Sequence, residues 1–316
     1  MRHATLRQMQ IFEAVARHLS FSDAARTMGL TQPAVSLQIK QLEGMAGLKL
    51  FEQIGRTLSL TPAGQTLLGH VRIILGAVQD TEEAMEALRG SRAGVLRIGV
   101  VSTAKYFAPG LLSAFTARHP GVELSLTVAN RERILALIAD NALDVFVMGR
   151  PPTDPPVLAQ PFAANPMVMV APPDHPLIGR KVRLIDLEGE TFLLREPGSG
   201  TRILMETLLA EGGVTPRRVI EMSSNETIKQ AVMAGMGVSL LSRLTMTLEL
   251  TVGRLHELDV EGLPVRRQWY VVIRQGKHLL PVAEALVAFL KDEGAGLIGQ
   301  AVRQLEHASC PECVDV

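Results

Sequence analysis

Residues 20–42, SFSDAARTMGLTQPAVSLQIKQL, decide the reading of the N-terminal third of the chain. The spacing predicts two short helices joined by a tight turn. Ser22 is expected to cap the first, with Asp23 in its first turn, where a carboxylate meets the positive end of the helix dipole. Ala24 and Ala25 are small enough to admit a second helix, and Gly29 suits a helix C-terminus because it takes the left-handed conformation without a Cβ penalty. Leu30 reads as a plug. Thr31 is expected to cap the second helix, and Pro33 belongs in its first turn. Val35, Ile39 and Leu42 recur at helical spacing and should point inward. The opposite face carries Gln32, Pro33, Ser36, Leu37 and Lys40. It is too polar for a core, and it has the residues that read base edges (Gln, Ser), meet a thymine methyl (Leu) or hold a phosphate or guanine (Lys). A plain helical hairpin fits the same periodicity; a helix-turn-helix with its second helix in the major groove also explains the polar face.

The flanking sequence extends that reading. Leu6 to His18 repeats apolar residues at helical spacing and predicts a helix packed across the other two. After Leu42, a Gly-containing turn leads to Phe51. Ile54-Gly55-Arg56-Thr57 can then turn a hairpin back into Leu58-Ser59-Leu60. This predicts a wing, with Arg56 at its tip placed to reach phosphate or the minor groove. Thr61-Pro62 opens a helix running to about residue 89. Leu67, Val71, Ile74, Val78, Thr81, Met85 and Leu88 alternate in steps of four and three, a heptad seam that calls for a partner helix.

Three ordered motifs, TQPAVSxQIKQLE, LFEQxGR and LTPAG, make the first part of the chain resemble the DNA-binding domain of LysR-type transcriptional regulators. Leu37 and Gln53 depart from that pattern, since many members have Arg at both positions. The resemblance implies a homodimer formed through the long helix, a tetramer completed through the sensor domains, and double-stranded DNA carrying an interrupted palindrome as the partner. RNA polymerase is a further expected partner.

Charge is distributed to match. The 316 residues carry 32 bases and 32 acids, but the first 72 hold eight Lys/Arg against four Asp/Glu, leaving 24 against 28 in the rest. A basic module on an acidic body fits a DNA reader. Neither a secretion signal nor an apolar run of the ~18 residues that span a bilayer is present, so a cytoplasmic protein without a membrane partner is expected.

From Val95 onward short apolar strands alternate with helices. Strands are predicted at 95–101, 123–129, 145–148, 167–170, 191–194, 219–220, 238–241 and 268–273, and helices at 108–117, 131–139, 201–210, 226–233 and 281–290. This alternation implies parallel sheets covered on both faces. The chain is thus an α+β multidomain protein: a winged helix-turn-helix (1–61), a linker helix (62–90), a two-lobed α/β sensor resembling periplasmic binding proteins (91–296), and a C-terminal tail (297–316). Lobe one is expected at about 91–162 and 267–296, and lobe two at about 163–266.

Ligands of such folds lie at the carboxyl ends of strands, between the lobes. The candidates there are Ser102, Thr103, Asn130, Arg150, Arg195, Gly198, Ser199, Gly200, Thr201, Arg202 and Asn225. REPGSGTR, residues 195–202, stands out among them. A glycine-rich turn entering a helix exposes amide N–H groups that suit an anion, and the arginines add charge. VSTAKYFAP (101–109), REPGSGTR, SNETIKQAVMAG (224–235) and EGLPxxRQWY (261–270) further resemble the LysR-type subfamily called CbbR, which regulates carbon-fixation operons. That resemblance implies an activator of Calvin-cycle genes with an anionic coinducer of the ribulose bisphosphate, phosphoenolpyruvate or NADPH class.

Enzymatic function is not expected. The sequence has no nucleophile elbow, no HExxH and no dinucleotide fingerprint. No metal site is expected either: Cys310 and Cys313 form a CPEC pair without a second Cys/His pair, and they read as part of a frayed terminus.

Overall fold

The computed structural model describes residues 1, 3–55, 57–88 and 95–308. Arg56 and the Cys310/Cys313 pair lie outside the described residues. The chain divides into two units, one of residues 1–91 with 139–142 and one of the remainder.

In the first unit α1 (Leu6–His18) is fixed at its start by a reciprocal capping box, in which Thr5 accepts from the Gln8 amide and Gln8 accepts from the Thr5 amide. Then come α2 (Phe21–Met28) and α3 (Gln32–Ala46). The expected cap at Ser22 is corrected by one turn geometry. The chain leaves α1 through Leu19 at φ 47°, so the extended residue ahead of α2 is Ser20, whose Oγ accepts from the Asp23 amide at 3.2 Å. Ser22 lies exposed in the first turn. Thr31 occupies the cap position of α3 but its side chain makes no cap bond. Val35, Ile39 and Leu42 are buried with Ile11, Phe12, Val15 and Ala24 in one core.

Strands β1 (Phe51–Ile54) and β2 (Thr57–Leu60) pair antiparallel, Phe51 opposite Leu60, and form the wing. Helix α4 (Pro62–Leu88) follows, capped by Thr61 Oγ1 on the Gly64 amide at 3.0 Å. Gly64 is required there: a Cβ would come within 2.1 Å of the Leu50 carbonyl oxygen. The heptad seam is not uniform. Val71 is fully buried and Leu67 packs on the same core, whereas Ile74 and Met85 are exposed.

The second unit is built on an eight-stranded sheet. Its strands are β3 (Val95–Val101), β4 (Glu123–Ala129), β5 (Val145–Met148), β6 (Val157–Ala171), β7 (Lys181–Val182), β10 (Ser239–Ser242), β11 (His256–Val260) and β12 (Val265–Arg274). Strands β8 (Thr191–Arg195) and β9 (Arg218–Met222) form a separate parallel pair. The helices are α5 (Ala108–Arg118), α6 (Arg131–Ala139), α7 (Gly200–Glu211), α8 (Asn225–Met233), α9 (Thr247–Thr251) and α10 (Pro281–Ala308).

A parallel sheet was the expectation, and within this sheet it holds for β4-β3-β5 and for β7 beside β11. Strand β12 runs antiparallel to both β5 and β6. The 15-residue β6 and the ten-residue β12 pair along ten positions, Val265 opposite Met167 and Arg274 opposite Val157, so this ribbon runs through both lobes. Its two ends enter different cores. Phe162, Ala163 and Trp269 pack with α5 and α10, while Met167 and Val265 pack with α7. Further cores under α6 and α8 cover the other faces. Helix α10 extends eighteen residues beyond the expected end at 290, so residues 297–308 continue a helix rather than forming a tail.

Candidate functional site

The α3 face opposite the core is open. Gln32, Pro33, Leu37 and Lys40 are exposed, Leu37 at 54%, while Ser36 is half-buried. An exposed leucine flanked by Gln and Lys on a well-packed helix is an unusual surface for water alone. Gln53, on β1, is exposed and its Nε2 donates to the Gly55 carbonyl at 3.4 Å, which braces the wing turn.

In the second unit, a cavity of about 60 Å³ opens between the lobes. Ser102 and Thr103 line it from the end of β3, Gly149 and Arg150 from the end of β5, and Ser199, Gly200 and Thr201 from the first turn of α7. Gly198, at φ 81°, makes the turn that delivers Ser199 to the cap position of α7, a backbone conformation side chains resist. The Ser199 side chain makes no cap bond, so the α7 entry has amides free to meet an anion.

Four guanidinium groups and one carboxylate line this cavity. Arg195 is committed internally. It is 2% exposed, its Nε and Nη2 donate to the Glu196 carboxylate at 2.7 and 2.8 Å, Nη1 donates to Asn225 Oδ1, and Nη2 also reaches Ser102 Oγ at 3.2 Å. Asn225 in turn donates to Thr103 Oγ1 at 3.4 Å. Arg195 and Asn225 thus brace the two β3 hydroxyls across the lobes.

The other three arginines have no carboxylate partner among the described residues. Arg131 donates to the Arg150 carbonyl, and Arg267 to the Gly200 carbonyl at 3.3 Å. Burial pulls the pKa of Arg131 below the ordinary guanidinium value, and the charge of Arg150 adds to it. Burial does the same to Arg267, followed by the charges of Arg150 and Arg131. Like charges so placed, with Arg131 and Arg267 answered by carbonyls alone, are chemically suited to meet a negative charge.

Several expected residues lie elsewhere. Asn130 does not line the cavity; its Oδ1 accepts from the Arg133 amide at 2.9 Å and starts α6. Arg202 turns away to Glu206 and Glu221, at 2.7 and 2.6 Å, and to the Arg195 carbonyl. Arg131 and Arg267 were missed by reading strand ends alone. Arg131 follows the strand-end Asn130 by one residue, and Arg267 stands two before Trp269, hence on the same face of β12. Trp269 is 1% exposed, meets Phe107 edge-on at 4.9 Å and forms the apolar wall.

Comparison with known proteins finds a family match for each part of the chain. The LysR substrate binding domain model matches residues 89–295, and the model of the bacterial regulatory helix-turn-helix protein, lysR family, matches residues 6–65. The chain is 73% identical over 293 residues to the HTH-type transcriptional regulator CbbR of Rhodospirillum rubrum, covering 92% of this chain and 98% of that one. It is 48% identical over 294 residues to the RuBisCO operon transcriptional regulator of Allochromatium vinosum, with 93% and 97% coverage. Among solved structures, the Synechocystis PCC6803 CcmR regulatory domain in complex with 2-PG is 40% identical with a TM-score of 0.60, covering 63% of this chain and 98% of that one.

Proposed function

The chain belongs to the LysR family of transcriptional regulators, and we propose that it activates carbon-fixation genes, the RuBisCO operon among them, in response to a small phosphorylated anion. As a family member it binds DNA through its N-terminal domain. In this reading Gln32, Ser36 and Lys40 contact the major groove, with Pro33 and Leu37 giving apolar surface to bases. Ser22, Thr31, Gln53 and Arg56 serve the DNA backbone. Two copies joined along α4 read the halves of an interrupted palindrome, and the sensor domains complete a tetramer. RNA polymerase is the partner through which activation acts.

The observation that carries the ligand reading is the cluster of Arg131, Arg150 and Arg267 around one cavity without a carboxylate partner among the described residues. The anion's phosphate is received by these arginines and the amides of the Gly198–Thr201 turn, and its remaining oxygens by Ser102, Thr103 and Ser199. Arg195 and Asn225 act as braces rather than ligands. Among the expected coinducers, phosphoenolpyruvate, the smallest, is the one favoured over ribulose bisphosphate or NADPH. The related CcmR domain, whose solved complex holds 2-PG, supports a compact anion.

Footprinting on DNA upstream of the carbon-fixation operon, with and without each of the three metabolites, tests the proposal. A footprint altered by phosphoenolpyruvate at the lowest concentration is expected. Protection that none of the three metabolites alters sinks the sensor reading while leaving the DNA reading intact.

A further inference from the structure

A second and larger cavity, of about 490 Å³, lies outside the arginine site. Its size is that of ordinary small-molecule pockets, roughly 300–1,000 Å³. Its walls are apolar: Leu111 on α5, Leu248 on α9, and Ile298 and Leu305 on the extended part of α10. Leu248 on α9 and Leu305 on α10 are 56% and 38% exposed.

The floor is polar, and its bonds leave one acceptor open. Lys229, only 3% exposed, donates to Glu226 Oε2 at 2.9 Å and to Glu249 Oε1 at 2.5 Å, and lies 4.8 Å from the centroid of the Tyr106 ring. The Tyr106 hydroxyl donates to Glu226 at 3.3 Å, and burial followed by the charge of Glu226 raises its pKa, so it stays a neutral donor. An ammonium has three donors, and here two carboxylates and a ring face occupy them. Lys229 therefore has nothing left for an anion. Glu226 accepts from Lys229 and Tyr106 on one oxygen and from Gln230 on the other. Glu249 lines the cavity, is 16% exposed, and has no bond to its Oε2 among the described residues. Lys105 lies 5.1 Å from the centroid of the same Tyr106 ring and balances the second carboxylate, so what the floor offers an occupant is the unbonded carboxylate oxygen of Glu249.

We propose that this cavity is a second ligand site, taking a small organic cation whose apolar body packs on the α5, α9 and α10 leucines and whose ammonium head pairs with Glu249. Its chemistry is opposite in sign to the arginine site, so the two sites select different molecules. Leu111 and Tyr106 belong to one lobe and Leu248, Lys229 and Glu249 to the other, so an occupant touches both.

Calorimetric titration of the full-length protein with n-hexylamine, hexan-1-ol and hexanoate at pH 7.5 tests this. Hexylammonium should bind once per chain, at least tenfold tighter than hexanoate, with hexanol between them. Ala301→Trp, at an exposed position of α10 lining the cavity, should weaken hexylammonium tenfold or more with no change in Tm. Hexanoate binding as tightly as hexylammonium, no probe binding at all, or hexylammonium binding unchanged by Ala301→Trp overturns the proposal. So does a change of oligomeric state in Ala301→Trp, which would identify a second copy of the chain as the occupant.

Discussion

Arg150 and Arg195 both lie at a strand end beside the same cavity, yet of the two only Arg195 has a carboxylate partner among the described residues. Glu196 holds Arg195 through two oxygens, and Asn225 and Ser102 take the rest of its donors. The two residues should therefore fail differently when replaced. Arg150→Gln, Arg131→Gln or Arg267→Gln should each weaken phosphoenolpyruvate by ~10–100-fold in calorimetry, the worth of one charge-assisted bond, with Tm held. Arg195→Met leaves Glu196, 16% exposed, without its partner. A loss of about 3 kcal/mol is expected, read as a Tm lower by about 5–10 °C. Strand-end positions were legible in the sequence because apolar runs stop there. Which arginine was fully committed was not, because the remaining donors of Arg195 go to Asn225 and Ser102, 30 and 93 positions away. On the DNA side, Lys40 is exposed on α3. If it meets phosphate, Lys40→Ala should weaken all sites alike and reduce the log–log salt slope by about 0.9, measured by anisotropy across a salt series.

Among the elements, α4 separates what periodicity can and cannot say. The heptad steps are present, but the first of them serve the chain's own core. Val71 is fully buried against the helix-turn-helix, whereas Ile74 and Met85 present 38% and 48% of their surface. Val71→Glu should therefore unfold the first unit, because it places an unpaired carboxylate in an apolar core. Ile74→Glu with Met85→Glu should leave circular dichroism unchanged and shift light scattering to a smaller species. An unchanged mass for that double variant removes α4 as the dimer contact. Helices with clear caps and strands with clear breaks were read within a residue or two; α1, β3 and β4 match throughout. The first half of β6 was missed because Pro161 and Pro166 interrupt its apolar pattern. Its pairing with β12 supplies what local sequence lacks. The end of α10 was missed for the opposite reason, since Gly294, Gly296 and Gly299 look like stops and packing on the core carries the helix through them.

For the molecule as a whole, regulation requires that an effector prefer one arrangement of the sensor lobes, since equal affinity for both moves nothing. The cavity meets that requirement. Ser102, Thr103 and Arg150 come from one lobe and Ser199, Gly200 and Thr201 from the other, and Arg195 already bonds Ser102 across the gap. Trp269, on the ribbon that runs through both lobes and in the cavity wall, should change its emission when the site fills. The central claim is that Arg131, Arg150 and Arg267, which have no carboxylate partner among the described residues, and not Arg195, make this the effector site. Its most direct test is calorimetric titration of phosphoenolpyruvate into the full-length protein and into an Arg131→Gln, Arg267→Gln double variant of matched Tm. The account predicts one site per chain in the parent and an affinity at least 100-fold lower in the variant. A variant that binds phosphoenolpyruvate as tightly as the parent, or a parent that does not bind it, contradicts the account.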